Sequence, residues 1–526
     1  MVSTTTVVSL IRALVADGAL TQEKADVLVK QLQDDAARTA RSGATPEAQA
    51  AASGSIRVPY IPQSVRKQIR EETRDEILTE MEQKNWAQPE AVPKWTKRFR
   101  LYGDLRARYE WDLFDPRNSN FFVNFAQLDA GAPFDLNNAA GTPPPILNTT
   151  KNRQRMLLRA RLGLDAVITD DFSAGIRLAT GNTTNPVSTN QTLGTTLNKD
   201  NFLLDRAYLD YHPLSWAKVQ VGRFPNPWFY SDLVWDDDIA FDGVAAEFNG
   251  AVNDEFSLFG TAGAFPIENT PFNFPDNSIF KGDSRDKWLF GAQIGEEWHA
   301  TDRVTLKVGA AYYDYDNLEG SLSQPCIANS GADPCSTDNS RPGFLQKGNT
   351  LFAIRDLVST AVNPPQFQYY GLASPFHDVD LRGRVDYAMF GPVHVMFDGD
   401  VVKNLAFDTA KISAKNPVNN SGASGKFDGG NLGYMAGLTV GYPVVENLWD
   451  WNVGVAYKYL ASDAVPDAFT DSDFHLGGTN AKGYVVGATL GVAPNVNILA
   501  RWLSSTEVTS LPLTVDVVQV DVNARF

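Results

Sequence analysis

No stretch of this 526-residue sequence offers the roughly 20 consecutive apolar residues that a transmembrane helix needs. A protein that crosses a membrane with helices is therefore excluded. A transmembrane β-barrel stays open, because half of the residues in each of its strands face water and its hydropathy averages out. The sequence has 40 Gly, 29 Pro and 11% aromatic residues, which together with many Val and Thr favour strands joined by turns.

Positive charge is also in deficit. The sequence has 46 Lys and Arg against 62 Asp and Glu, a formal net charge of −16. A nucleic-acid binder normally needs the opposite balance, because it must neutralise phosphates, so we expect no nucleic-acid partner. The first twenty residues lack the basic start and continuous apolar core of a secretory signal. We expect an exported protein to be represented here in its mature form.

Cysteine is nearly absent, with Cys326 and Cys335 as the two in the chain. Their spacing is too wide for a C-x-x-C redox pair, and no set of Cys and His accompanies them as a zinc site requires. We interpret them as a loop-closing disulfide formed in an oxidising compartment, with two free surface thiols as the alternative.

Histidine is scarce as well, which bears on catalysis. The five histidines are His212, His299, His377, His394 and His475. A lipase or protease needs a nucleophile beside a base. Only His394 falls on the polar face of a predicted strand, and no G-x-S-x-G motif accompanies it. The sequence therefore predicts no enzyme, no metal site and no cofactor.

What the sequence does contain is strict two-residue alternation, most clearly in its last thirteen residues, 514–526. From Val518 onward one parity is apolar and the other almost wholly polar. Successive strand residues point to opposite faces, so such a strand suits lipid on one side and water on the other. Phe526, preceded by apolar residues at every second position, resembles the C-terminal signal of bacterial outer-membrane barrels. That resemblance implies recognition by the barrel-assembly machinery.

The same alternation recurs along the chain from residue 98 onward. The candidate strands are 98–111, 153–167, 172–180, 203–211, 218–224, 241–249, 256–264, 287–298, 304–315, 378–389, 393–403, 433–441, 451–459, 483–492, 495–504 and 514–526. They predict an all-β transmembrane protein, an antiparallel barrel of about 16 strands over 98–526, with 14 to 18 strands possible. A soluble β-rich binding or surface-lattice protein would not require an apolar outward face on every strand.

The connections between these strands alternate in length. Long stretches such as 112–152 and 316–377 alternate with short, turn-like ones such as 169–171 and 390–392. Short periplasmic turns opposite long external loops are typical of outer-membrane barrels. Both ends of the barrel then fall on the short-turn side, which predicts a periplasmic N-terminal segment.

The first 97 residues have a different character. Residues 1–40 have the apolar spacing of a helical hairpin, 41–61 are rich in Ala, Ser and Gly and predict a flexible linker, and 62–97 predict an amphipathic helix followed by a connector. The helix fits either a short trimeric coiled coil or a surface helix that packs on its own barrel. Residues 1–90 could also tether the barrel to the cell wall or to a periplasmic partner. They are too few to plug a very wide barrel.

Three motifs carry a resemblance to a known family. These are V-P-Y-I-P-Q-S-V-R-K-Q-I-R-E-E at Val58 to Glu72, N-W-A-Q-P at Asn85 to Pro89 and G-D-L-R-A-R-Y-E at Gly103 to Glu110. The chain resembles the putative-porin family of proteobacteria. The resemblance implies an outer-membrane diffusion channel surrounded by lipid, and its similarity to sixteen-stranded porins implies a homotrimer. It names no solute.

The polar parity of the predicted strands is rich in arginine. The candidate pore-lining residues are Arg100, Arg106, Arg108, Arg153, Arg155, Arg159, Arg161, Arg177, Arg206, Arg382 and Arg384. Guanidinium groups stay charged, and walls of opposite sign would set up a transverse field that orients polar solutes. The alternative is that cross-strand pairs neutralise one another, and we expect about half of these arginines to be such scaffolding.

The third long connection, around 224–240, is acidic as well as aromatic. Similarity to sixteen-stranded porins implies that it folds inward and narrows the channel. The candidate constriction residues are Asp232, Asp236, Asp237 and Asp238. A solvated outer loop and a Ca²⁺ site are the alternatives, although D-D-D lacks EF-hand spacing.

We therefore expect a porin that passes small hydrophilic solutes by passive diffusion through an arginine-rich lumen. A substrate-selective outer-membrane channel and a structural barrel that tethers the envelope are the alternatives. The sequence does not decide between anion and cation selectivity.

Overall fold

The structure, a computed structural model, describes residues 96–526 except 132, 138–140, 142 and 359–363, together with Asp26 and Lys30. The hairpin predicted at 1–40, the linker at 41–61 and the helix and connector at 62–97 fall outside the described residues, with small exceptions. Asp26 and Lys30 are helical, and Thr96–Arg98 form a turn of 3₁₀ helix at the entry to the first strand.

Sixteen long strands form one closed antiparallel barrel, which confirms the predicted fold class and strand count. They are β1 Phe99–Phe114, β2 Arg153–Val167, β3 Phe172–Ala179, β4 Leu203–Leu214, β5 Ala217–Pro225, β6 Ala240–Ala251, β7 Phe256–Glu268, β8 Lys287–Thr301, β9 Val304–Asp316, β10 Phe376–Phe390, β11 Val393–Asn404, β12 Leu432–Gly441, β13 Trp451–Leu460, β14 Ala481–Ala493, β15 Val496–Glu507 and β16 Thr514–Arg525. Each strand pairs with its sequence neighbour, and β16 returns to pair with β1.

Where β16 pairs with β1, residues that face the same side of the sheet lie opposite each other. Ala107 lies opposite Val522, and Arg108 lies opposite Asp521. Val522 is exposed on the outer surface, whereas Arg108 and Asp521 are buried inside the barrel. The outer surface of the barrel is therefore apolar and its inner surface is charged, as two-residue alternation between lipid and water requires.

The connections are of two kinds, one at each end of the barrel. The long loops are L1 115–152, L2 180–202, L3 226–239, L4 269–286, L5 317–375, L6 405–431, L7 461–480 and L8 508–513. The turns at the other end are 168–171, 215–216, 252–255, 302–303, 391–392, 442–450 and 494–495. The alternation weakens at the C-terminal end of the chain, where the turn 442–450 is longer than L8.

Short elements stiffen the long loops. Helices α1 Phe125–Asp129 in L1 and α2 Thr409–Ala414 in L6 are each capped by a preceding side chain that accepts from the first turn. Two-residue strands Phe134–Asp135 and Phe367–Gln368 pair with each other, as do Leu351–Ala353 and Tyr370–Leu372, and Gln191–Thr192 of L2 pairs with Leu157 and Leu158 of β2. Single 3₁₀ turns occupy Asp338–Ser340, Asp467–Phe469 and Phe474–Leu476. None of the helices in the part of the chain that the structure describes is long and apolar enough to cross a membrane.

The largest hydrophobic cluster lies inside the barrel, at its long-loop end, because L3 brings indole rings into the lumen. Trp235 packs against Phe241 and Tyr313, with ring centroids 5.0 and 5.3 Å apart. Trp228 lies over Gly291 of β8, where a Cβ would come within 2.7 Å of the ring. The absence of a side chain at Gly291 therefore makes the space that seats L3 against the wall.

Candidate functional site

The lumen at the level of L3 is the candidate site, and its basic side is built by β1 and β2. Asp104 of β1 accepts from Arg159 Nε at 3.1 Å and from Arg161 Nε at 2.7 Å. Glu110 accepts from Arg155 Nε at 2.7 Å. These contacts follow from the strand register, since residues opposite each other on one face of an antiparallel pair lie within reach.

Asp238 at the end of L3 meets this basic side from within the lumen. Its Oδ1 lies 3.5 Å from Arg159 Nη1 and 3.2 Å from Arg161 Nη1, and its Oδ2 accepts from the Thr189 amide and hydroxyl at 3.0 Å. Burial opposes ionisation of Asp238, but Arg159 and Arg161 hold its pKa below the usual range. The carboxylate is therefore charged over the whole physiological pH range.

The other half of L3 contacts the wall first at nearby β8 and then at strands further round the barrel. The Phe229 amide donates to Gln293 Oε1 at 2.7 Å, and Gln293 Nε2 donates back to the Phe229 carbonyl at 2.9 Å. Further along, Ser231 donates to Asp400 of β11, and Asp232 lies 2.6 Å from Lys458 Nζ of β13. L3 thus leaves the wall between β5 and β6 and contacts strands on the opposite side of the barrel.

The four acidic residues of L3 have different surroundings. Within the described residues, Asp238 is the one that contacts arginines, whereas Asp232 pairs with Lys458. Asp236 accepts from the backbone amides of Asp238 and Ser472, and burial, followed by the nearby carboxylates of Asp238 and Asp471, raises its pKa well above the usual range. Asp237 is exposed and lies 3.3 Å from the Tyr230 hydroxyl.

The remaining predicted arginines fall into paired and unpaired groups. Arg177 and Arg206 of β3 and β4 share Asp205, and Arg382 and Arg384 of β10 share Asp398. Arg108 donates to Asp521 at 2.8 and 3.0 Å.

Over the described part of the chain, no ion pair involves three of the eleven candidates. These are Arg100, Arg106 and Arg153. Arg106 Nη2 donates to the Asn190 side chain of L2 at 2.6 Å, Arg153 Nη1 donates to the Asn152 carbonyl, and Arg100 is exposed near the turn end. Most of the arginine side chains are therefore neutralised locally.

L7 contributes charged groups that the sequence reasoning did not identify. Asp473 accepts from Arg108 Nη1 at 2.9 Å and from Arg501 Nη2 at 2.5 Å. Asp471 accepts from Lys458 Nζ at 2.9 Å, so Lys458 is held between L3 and L7. Burial opposes ionisation of Asp473, but Arg108 and Arg501 lower its pKa well below the usual range. The D-S-D motif in a long loop was the available signal, although alternation says nothing of where a loop folds.

The two cysteines lie outside the charged site in the lumen, and the histidines make other contacts. Cys326 and Cys335 are joined in a disulfide within L5. His394 Nδ1 lies 2.7 Å from Asp386 on the neighbouring strand. Over the described residues, no group of three or more His, Cys, Asp or Glu side chains is arranged to hold a metal ion.

A closed sixteen-stranded barrel with an apolar outer face and a charged interior defines a porin-type channel of the Gram-negative outer membrane. The model of the family described as "Putative porin" matches residues 4–526 of the sequence. The chain therefore belongs to this family. Porins are channel proteins rather than enzymes.

Similar solved structures are outer-membrane proteins of low sequence identity. OprB of Pseudomonas putida is 9% identical with a TM-score of 0.41, over 82% of this chain and 94% of that one. The channel DcaP of Acinetobacter baumannii is 10% identical with a TM-score of 0.38, over 81% and 97%. OmpF of Salmonella typhi, solved in complex with daunomycin, is 11% identical with a TM-score of 0.39, over 81% and 97%. No protein of curated function matches the chain.

Proposed function

We propose that this protein is a passive diffusion channel for small hydrophilic solutes, narrowed inside the barrel by L3. The observation that carries this proposal is the position of Asp238, whose carboxylate lies between Arg159 and Arg161 of the wall. This contact anchors L3 inside the barrel, so the exposed charges that remain on the wall and on the loop face each other across the passage. Such a transverse field orients polar solutes and disfavours apolar ones.

In this proposal, the arginine side chains that are exposed or make no ion pair set the ion selectivity. Arg155 keeps 44% of its side chain exposed although it is paired with Glu110, and Arg106 donates to Asn190 and makes no ion pair among the described residues. Paired, buried charges contribute little net potential, whereas exposed and unpaired ones act on a passing ion. The narrow zone should therefore favour anions modestly, against the acidic balance of the whole chain.

A substrate-selective channel is the second candidate, and the entry of L7 into the lumen favours it. Lys458 is held between Asp232 of L3 and Asp471 of L7, so two loops rather than one occupy the cross-section. A general diffusion pore needs only one narrowing loop, whereas two loops fastened to each other and to the wall would restrict passage to solutes that fit between them.

Conductance of the purified protein in planar bilayers tests the proposal. In symmetric KCl we expect steady unitary currents. Under a salt gradient we expect the reversal potential to have the sign that a modest preference for anions produces. Correctly folded protein that carries no current would overturn the proposal. Large currents that small sugars and amino acids leave unchanged would favour the general pore over the selective one.

We infer that the protein is a homotrimer and that its N-terminal residues lie in the periplasm. There, either residues 62–97 hold the three chains together, or residues 1–90 bind the cell wall or a periplasmic partner. Support comes from family membership and from the first strand, whose entry at Thr96–Arg98 lies at the turn end of the barrel. Deletion of residues 1–90 followed by sizing of the detergent-solubilised protein separates the two roles. A particle that is still a trimer after the deletion would exclude trimerisation by this segment.

A further inference from the structure

A cavity of about 560 Å³ lies between L3 and the inner faces of β10 to β15, and its volume is in the range of pockets that hold small organic molecules. The residues of β12 to β15 that line it are uncharged and include Gly437, Gly454 and Gly487. A Cβ at Gly437 or Gly487 would come no closer than 3.5 Å to any residue beyond its chain neighbours, so close packing does not require glycine there. The small side of the cavity therefore leaves room for a solute.

The charged side of the cavity includes Arg384 of β10, which lies on the inward parity with buried Arg382, whereas Leu381 is exposed on the outer surface. Arg384 donates through Nε to Asp398 at 2.8 Å, and its side chain stays 46% exposed. Its Nη1 and Nη2 contact no acceptor among the described residues. Two parallel guanidinium donors are the arrangement that binds a carboxylate with two hydrogen bonds. Arg384 can therefore bind an anion and keep its contact with Asp398.

Asp237 of L3 is the complementary group, because it lines the same cavity and is exposed to it. The Tyr230 hydroxyl donates to its Oδ1 at 3.3 Å, and Asp237 makes no ion pair within the part of the chain that the structure describes. Partial burial inside the barrel, and then the carboxylates of Asp232 and Asp471, raise the pKa of Asp237. A carboxylate in such surroundings gains from the approach of a cation.

We propose that this cavity binds zwitterions that carry one carboxylate and one ammonium group, as amino acids do, with the carboxylate on Arg384 and the ammonium group on Asp237. This inference rests on the proposed channel function and adds a solute class to it. A solute with a single charge can pair with only one of the two side chains, whereas a zwitterion pairs with both. Such a solute has no net charge, so the paired arginines elsewhere in the lumen do not oppose its entry.

Block of the KCl current by ω-amino acids in planar bilayers at pH 7 tests the inference. Glycine, 4-aminobutyrate and 6-aminohexanoate differ in the separation of their two charges, so the member with the lowest half-blocking concentration reports the span from Arg384 to Asp237. That member is compared with two analogues of the same length, in which a methyl group replaces either the ammonium group or the carboxylate. We expect its half-blocking concentration to be about fivefold lower than that of either analogue, the scale of one exposed ion pair.

Two variants assign the two ends of the zwitterion. Asp237→Asn should raise the half-blocking concentrations of the zwitterion and of the amine analogue about fivefold and leave that of the carboxylate analogue unchanged. Arg384→Gln should raise those of the zwitterion and of the carboxylate analogue and leave that of the amine unchanged.

Asp254→Asn in the turn 252–255 and Arg303→Gln in the turn 302–303 remove exposed charges outside the cavity, and these matched controls should change none of the three values. A zwitterion that blocks no better than its analogues, or a block that neither cavity variant weakens, would overturn the inference while KCl conductance still supported the channel. Absence of KCl current would instead refute the channel function itself.

Discussion

Lys458 Nζ of β13 lies 2.6 Å from Asp232 Oδ2 of L3, although L3 leaves the wall between β5 and β6, about half a circumference away. The same ammonium group lies 2.9 Å from Asp471 of L7. One buried lysine therefore fastens two inward loops to the wall and to each other. We propose that this junction, as well as the strands, sets the cross-section of the lumen.

Replacement of Lys458 by methionine should release both loops. Two carboxylates would lose their shared cation in a buried place, and breaking one partner of a buried ion pair costs about 3–5 kcal/mol. We expect a higher and noisier unitary conductance together with a lower unfolding midpoint in urea. Lys218→Met is the matched control, because Lys218 pairs with Glu247 on the neighbouring strand and does not contact L3. Equal behaviour of the two variants would show that Lys458 does not hold the loops.

Arg155 offers a test of which charges act on permeating ions. Its side chain is 44% exposed while Glu110, its partner, is buried. Arg155→Ala should shift the channel towards cations, since it removes a free positive face and leaves Glu110 without that partner. The permeability ratio of chloride to potassium should fall about two- to fivefold, the equivalent of roughly 0.4–1 kcal/mol.

The reversal potential under a KCl gradient measures this change. Arg155→Lys keeps the charge and should stay close to the wild-type value. A ratio that does not move in Arg155→Ala would place the narrow zone away from this side chain. Arg159→Ala should act in the same direction, because Asp238 and Asp104 would then share Arg161 alone.

Much of this architecture could be predicted from the sequence. The contacts between loops and distant strands could not. Alternation of side chains along a strand is a local property, so it located all sixteen strands. Individual pairs such as Arg159–Asp104 depend on the register between strands, which alternation alone does not give. The contacts Asp473–Arg108 and Asp232–Lys458 join a loop to a distant strand, and no periodicity encodes where a loop folds.

One signal of inward loops was nevertheless present. Tyr313 and Tyr315 lie on the same parity as Ala311 and are buried in the lumen, while Tyr312 points outward and is exposed. Apolar residues on both parities at a loop end mean that something apolar covers the inner face. Here Trp235 of L3 does so, at 5.3 Å from Tyr313.

The docking of L7 should depend on pH through His475. Its Nε2 lies 2.7 Å from Glu507 and its Nδ1 lies 2.9 Å from the Ser505 hydroxyl, while Lys347 donates to its carbonyl. Burial, and then the Lys347 ammonium, lower the pKa of His475 well below the usual range. At His475 the undocked loop thus binds a proton, below about pH 6.5, that the docked loop excludes. Burial raises the pKa of Asp463 to about 6 and that of Asp467 to about 7 in the same loop, which acts in the opposite sense. The His475 contribution is therefore measured as a difference from a variant that lacks this side chain.

Amide hydrogen exchange of residues 461–480, corrected for intrinsic rates, measures this effect between pH 7.5 and 5. On acidification, exchange in L7 should accelerate more in the wild-type protein than in His475→Gln, and His212→Gln, which changes an exposed histidine near the turn end of β4, should behave like wild type. The same pH dependence in wild type and in His475→Gln would show that His475 does not contribute.

The C-terminal residue should matter for assembly more than for transport. The Phe526 amide and carbonyl both pair with Gly103 of β1, at 3.0 and 2.9 Å. Its ring lies where a Cβ on Gly103 would come within 2.5 Å. The ring therefore covers the glycine on the outer face of the seam that joins β16 to β1. An unclosed seam exposes unpaired backbone to lipid, which barrels do not tolerate.

Deletion of Phe526 should reduce the amount of folded protein in the outer membrane severalfold, while the unitary conductance of the molecules that do assemble stays near wild type. In the proposed channel the narrow zone lies around Asp238 and Lys458, away from this end of the barrel, so loss of Phe526 should change the membrane level without changing the conductance. Phe526→Tyr keeps an aromatic ring over Gly103 and should restore the membrane level. Normal levels of the truncated protein would mean that the remaining seam, from Asp104–Arg525 to Phe114–Val515, is sufficient to direct closure.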